Sequence, residues 1–209
     1  VAVSETTKSH SKRSRKHALA LALTAGSLIG LSGQALATGE FVSAGEGSIA
    51  INSGTCGTGT EANGEHSVSI GCGAGVNATG QYGVGLADND TSIGYQAGLN
   101  VAGSNNSAIG TNAGETVKGS NNTAFGVSAG KTITGNKNTS LGDNSGFSIK
   151  GDGNLSVGSE AGGNVTGDHN VMLGTRATVK GSTDPISHAV VVGYQASASK
   201  SNNVALGSE

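Results

Sequence analysis

The chain has 209 residues, of which 37 are glycine, one is proline, none is tryptophan and 3% are aromatic. Apolar side chains make up 34%, most of them small, and a conventional core is hard to build from them. Either disorder or a regular stacking of small residues is left, and periodicity selects between the two. The formal net charge of −2 hides an asymmetry: five of the 12 basic residues are Lys8, Lys12, Arg13, Arg15 and Lys16. Beyond residue 37, seven basic residues face 13 acidic ones, a balance of −6. Nucleic-acid binding needs a basic footprint, so that class of partner is excluded.

Residues 1–37 read as an export signal. The basic stretch is followed by a 14-residue apolar run, Ala18 to Leu31, and by Gln34-Ala35-Leu36-Ala37, a small-x-small cleavage site. The cut is expected between Ala37 and Thr38. The run is shorter than the roughly 20 residues of a membrane-spanning helix. Val1 stands where a methionine would open a chain, which reads as a start that has been lost. Residues 38–47 form a short lead-in.

From residue 48 to residue 209 the sequence repeats. A glycine after a short apolar strand recurs every 16 residues at Gly94, Gly110, Gly126, Gly142, Gly158 and Gly174. A small residue follows three positions later, from Ala97 and Ala113 through Ser145 to Ala177. Branched apolar residues come next at Val101, Val117, Ile133, Ile149 and Val165, with Val179 as their counterpart, and then a second glycine. The pattern predicts an all-β chain, a β-solenoid of about 14–16-residue coils with two short strands per coil. Side chains that alternate with period two place Ile109 and its equivalents, Ala113 and Val117 in the interior. Asn106, Asn122, Asn138, Asn154 and Asn170 also recur at 16. Amides stacked at strand spacing form a hydrogen-bonded ladder, although asparagine is also a good turn residue in its own right.

The period is broken in places. Gly174 to Gly193 spans 19 residues around Asp184-Pro185-Ile186, Gly193 to Gly207 spans 14, and the phase slips between Leu86 and Gly94. Cys56 and Cys72 are 16 apart in matching contexts, which would place the thiols on adjacent coils within disulfide reach. Two unpaired turn thiols are the alternative, and a metal site would need more ligands than two cysteines.

The units Asn106-Ser107-Ala108-Ile109-Gly110, Asn122-Thr123-Ala124-Phe125-Gly126 and Asn203-Val204-Ala205-Leu206-Gly207 resemble the head repeats of trimeric autotransporter adhesins, the YadA-like family. The segment Val1 to Ser14 resembles that family's extended signal peptide. The resemblance implies a left-handed parallel β-roll assembled as a homotrimer. It also implies export to the outer-membrane surface of a Gram-negative bacterium and a C-terminal membrane anchor beyond Glu209. Its implied partners are a host extracellular matrix protein or cell-surface receptor, or another copy in self-association. The 16-residue coil is longer than the family's common 14-residue unit, and only the last step matches it. The runner-up is a fibre segment of a phage-type or chaperone-assembled trimer, against which the signal argues.

Sequence offers little for chemistry. Gly126 to Thr132 lacks one residue of a phosphate loop, and Ser128-Ala129-Gly130-Lys131 is a Ser-x-x-Lys match without its companions. Asp88-Asn89-Asp90 lacks the remaining ligands of a calcium loop. His66, His169 and His188 are dispersed; of the carboxylates, Asp143 and Glu160 are 17 apart and Asp152 and Asp168 are 16 apart, so the second pair would stack. No enzyme, catalytic residue, cofactor or metal is expected. The outward charges Glu115, Lys118, Lys131, Lys137 and Lys150 are candidates for ligand contact or simply a solvated face.

Overall fold

The structure, a computed structural model, describes residues 40–41, 46–52, 60–62, 64–76, 88–180 and 184–207. The signal segment, the cleavage positions Ala37 and Thr38, most of the lead-in, Cys56 and Glu209 lie outside those residues.

Among the described residues there are 18 short strands and no helix. The strand that precedes each repeat glycine joins one sheet of 11 strands. Its members are β2 (Ile49–Asn52), β3 (Val68–Ile70), β4 (Thr91–Ile93), β6 (Ser107–Ile109), β8 (Thr123–Phe125), β10 (Thr139–Leu141), β12 (Leu155–Val157), β14 (Val171–Leu173), β16 (Val190–Val192) and β18 (Val204–Leu206). They pair in parallel, and β1 (Glu40–Phe41) closes the edge antiparallel to β2. The second strand of each coil builds a parallel sheet of five: β5 (Asn100–Ala102), β7 (Thr116–Lys118), β9 (Thr132–Thr134), β11 (Ser148–Lys150) and β13 (Asn164–Thr166). From β4 to β14 the first-sheet register is the 16-residue step, Ser107 opposite Thr123 and Thr139 opposite Leu155. The protein is therefore a parallel β-solenoid.

The interior differs from the sequence reading by one residue on the first strand. The middle residue points inward: Ala108, Ala124, Ser140, Ser156, Met172 and Val191 are buried. Ile109 is half-buried and its equivalent Phe125 is 55% exposed. The cause is the room available. The roll interior is already filled from the turn by Ala97, Ala113 and Ala129 and from the second sheet by Val117, Ile133 and Ile149. At Ala108, Ala124, Ser140 and Ser156 a methyl or hydroxymethyl fills the space opposite them, whereas the C-terminal coils take Met172 and Val191 in the same inward column; a one-residue slip would exchange this column for the outward neighbours.

Ser140 and Ser156 occupy that inward column with buried hydroxyls that have no hydrogen-bond partner. A buried hydroxyl without a partner costs about 1–3 kcal/mol. Alanine already fits the column at Ala108 and Ala124. Ser140→Ala is expected to raise stability by roughly 1 kcal/mol in a urea melt; a loss of stability would mean that the hydroxyl is satisfied in solution.

The breaks in period have structural counterparts. Val68 lies opposite Thr91, a step of 23 that adds seven residues to the coil where the sequence phase slips. Ile49 lies opposite Val68, a step of 19. The steps from β14 to β16 and from β16 to β18 are 19 and 14, as the glycine spacing indicates.

Candidate functional surfaces

The asparagines form a continuous inner ladder. The backbone N–H and Nδ2 of Asn122 both donate to Asn106 Oδ1, at 3.0 and 3.1 Å. The pattern repeats through Asn138, Asn154 and Asn170. The Nδ2 groups of the first four also donate to a glycine carbonyl of their own coil, Gly135 for Asn122 and Gly151 for Asn138, while Asn170 Nδ2 donates to the Ile186 carbonyl. All five side chains are buried, so satisfying every donor and acceptor decides whether they stabilise or destabilise the coil.

A second, outer ladder has no single residue type. The N–H of Ser120 donates to Asn136 Oδ1, Asn136 to Asp152 Oδ1, Asp152 to Asp168 Oδ1 and Asp168 to Ser187 Oγ. Asp152 and Asp168, the stacked carboxylates of the sequence reading, thus serve as backbone acceptors.

At the start of the inner ladder stands Asp90. Its Oδ1 accepts the Asn106 N–H at 2.6 Å, while its Oδ2 is buried without a partner. Burial pushes its carboxyl up to about 7, against the lowering effect of the Asn106 bonds, and Asp88 adds to the rise. The Asp88 carboxylate itself accepts the Glu65 N–H at 2.9 Å. The acidic run thus works within the coils.

The outward faces of the two sheets differ in character. On the large sheet the residue before each repeat glycine is apolar from Ile93 and Ile109 through Phe125, Leu141, Val157, Leu173 and Val192 to Leu206. Phe125, Leu141 and Leu206 are 55%, 36% and 75% exposed. The other outward column changes from Ser107, Thr123 and Thr139 to Leu155, Val171, Val190 and Val204, so the face becomes wholly apolar towards the C-terminus. The smaller sheet presents Thr116, Lys118, Thr132, Thr134, Lys150 and Thr166. Of the charged candidates, Lys131 pairs with Glu115 at 3.2 Å and sits 5.7 Å above the Phe147 ring. Lys118 and Lys150 lie outward on the smaller sheet, and Lys137 occupies a left-handed turn position.

The five-stranded sheet ends at β13. In the next coil β15 (Thr178–Val179) starts directly after Ala177, two residues earlier than β13 does after Ala161. Val179 therefore does not continue the Val165 column in strand register. β15 pairs instead with β17 (Ser197–Ala198) as a separate two-stranded sheet. The resulting step holds an open cleft of about 610 Å³, with Glu160, Asn164, Arg176, Thr178, Lys180 and Gln195 among its walls. Arg176 grips Glu160 through Nε at 2.9 Å and through a second nitrogen at 3.3 Å. That contact holds the Glu160 carboxyl below its ordinary range. Sequence reasoning missed the step because the deletion is masked by the insertion that follows it in the same coil.

Cys72 is disulfide-bonded. Its expected partner Cys56 lies outside the described residues; the described strands on either side, β2 and β3, are offset by 19. Buried Thr60, whose following residue Glu61 donates its N–H to the Ala74 carbonyl, occupies the Ala74 column at an offset of 14. His169 and His188 are brought together by the 19-residue coil and stack with ring centroids 5.2 Å apart, whereas His66 lies elsewhere in the same type of turn. Ala129 of the Ser-x-x-Lys match is buried, and Ser128 is a left-handed turn residue. Among the described residues no three of His, Cys, Asp or Glu converge as metal ligands. Comparison of the chain with protein-family models, with curated proteins and with solved structures gives no match.

Proposed function

We propose that the chain is the head of a trimeric surface adhesin that attaches a bacterium to host cells or matrix proteins or to its own kind, without catalysis. The observation that carries the reading is the outward apolar face of the large sheet. Parallel sheets are ordinarily covered on both faces. Here the interior covers one face, while the other presents Phe125, Leu141, Leu173 and Leu206 in line across successive coils. Covering that face with two further copies of the chain removes it from water and leaves the polar smaller sheet outward. Repeated polar coils on three chains favour attachment by many weak contacts in place of one pocket. The signal-like residues 1–37 and the likeness of the repeat to YadA-like heads agree with display at a Gram-negative surface.

The test is the sedimentation mass of residues 38–209 fused to a trimeric coiled coil that is removable by protease, with circular dichroism on the same sample. A β-rich trimer that persists after cleavage is expected. Phe125→Asp combined with Leu141→Asp is expected to weaken it by at least roughly 100-fold, since each side chain forfeits about 1.5–3 kcal/mol of burial. A monomer with an unchanged β spectrum after cleavage would sink the assembly reading.

A further inference from the structure

The step between β13 and β15 is a feature the repeat does not require. We infer that it is a binding site for a neutral saccharide. The inference names a ligand class for the adhesin reading and rests on that reading for why such a site would be displayed.

The cleft is bracketed by two coil-to-coil bonds, Gly162 N–H to the Ala177 carbonyl at 2.8 Å and Ile186 N–H to the Thr166 carbonyl at 2.9 Å. Between them β13 and β15 run side by side and are not paired. Some Cα atoms of the two strands remain within 8 Å of each other. An inserted strand would need roughly 9.5 Å, twice the ordinary strand spacing. The step is therefore too narrow to take up a peptide strand and suits a compact polar ligand lying across it. Its volume of about 610 Å³ is in the range of small-molecule sites.

The side chains select the chemistry. Glu160 and Arg176 compensate each other's charge, and Lys180, the third charged residue of the walls, is not free either, so the cleft does not call for an ion. The two bonds between them fix both planes and leave carboxylate lone pairs and guanidinium N–H groups facing outward. Adjacent hydroxyls on a sugar ring both donate and accept, and they match such a fixed pair. Asn164 and Gln195 add amides of both polarities, and Thr178 adds a hydroxyl.

The experiment is an amide-resolved NMR titration of the full chain with the methyl glycosides of glucose, galactose, mannose and N-acetylglucosamine. Each is added to about 10 mM, tenfold above a millimolar Kd. At least one sugar is expected to shift the amides of Gly163, Asn164, Thr178 and Gln195 while those of distant coils stay in place. Arg176→Ala and Asn164→Ala are each expected to weaken the response at least tenfold with the spectrum otherwise intact, and Thr111→Ala, an exposed position remote from the cleft, to leave it unchanged. No localised shift with any of the four sugars, or shifts that survive both cleft variants, would overturn the proposal. Sedimentation of the same samples reads self-association independently. A trimer without sugar shifts refutes only the saccharide site, and a monomer with them refutes only the assembly.

Discussion

Asp90→Asn is expected to stabilise the N-terminal coils by on the order of 2–4 kcal/mol above about pH 7 and by little near pH 4. Asp90 holds the ladder position that asparagine fills in the next five coils. Its Oδ1 already performs the acceptor's part toward Asn106. Its Oδ2 stands where an amide would donate to the Gly103 carbonyl, as Asn106 Nδ2 donates to Gly119. A buried carboxylate oxygen in that place has no partner, and burial accordingly raises the carboxyl from 3.8 to about 7. A carboxyl with a raised folded-state value favours the protonated fold. Its stabilising contribution is whole below about pH 4, declines as the unfolded chain ionises, and is gone above about pH 7. Asparagine removes the charge and supplies the missing donor. The check is amide exchange at Thr91 and Ser107 in both proteins between about pH 4 and pH 8, corrected for intrinsic rates. Wild type should lose protection across that window relative to the variant. Parallel profiles would show that the Asp90 carboxylate is solvated or paired in solution.

That prediction rests on a ladder whose members could be read from the sequence, because five asparagines at one spacing have a common cause. The 16-residue coil, the two strands and the turn glycines were legible for the same reason: identical residues in identical places. The outer ladder from Ser104 to Ser187 was not, because serine, asparagine and aspartate share there only an oxygen that accepts one N–H. The facing of the first strand was misread. In Ser107-Ala108-Ile109 the largest side chain suggested the interior, but the middle position points inward, there alanine and in β14 Met172. Thr60 could not be aligned with Ala74 because unequal insertions surround it. The outward apolar face follows from that corrected phase, so the exposed column of Phe125, Leu141 and Leu206 became visible only with the strand register.

Gly135→Ala is expected to cost roughly 3–5 kcal/mol and to divide the solenoid into two stacks that melt separately. Gly135 has φ +139°, a backbone conformation that L side chains rarely adopt. A Cβ placed there would stand 2.1 Å from the Gly151 carbonyl oxygen of the next coil and 2.7 Å from its carbon. Both are backbone atoms held at coil spacing, so no rotamer change relieves the overlap. The same Gly151 oxygen accepts from Asn138 Nδ2 at 2.9 Å, so moving it also breaks the inner ladder. In a solenoid each coil contacts only its neighbours, and a strained interface uncouples the coils on either side. Gly163→Ala is the control: its Cβ would meet nothing closer than the Glu160 carbonyl oxygen at 3.7 Å. Urea unfolding should show two transitions for the Gly135 variant and leave the Gly163 variant close to wild type. Limited proteolysis should cut the first near residue 135. A single cooperative transition at the wild-type midpoint would mean that the coils are not held at this spacing, and the stacking register itself would have to be revised.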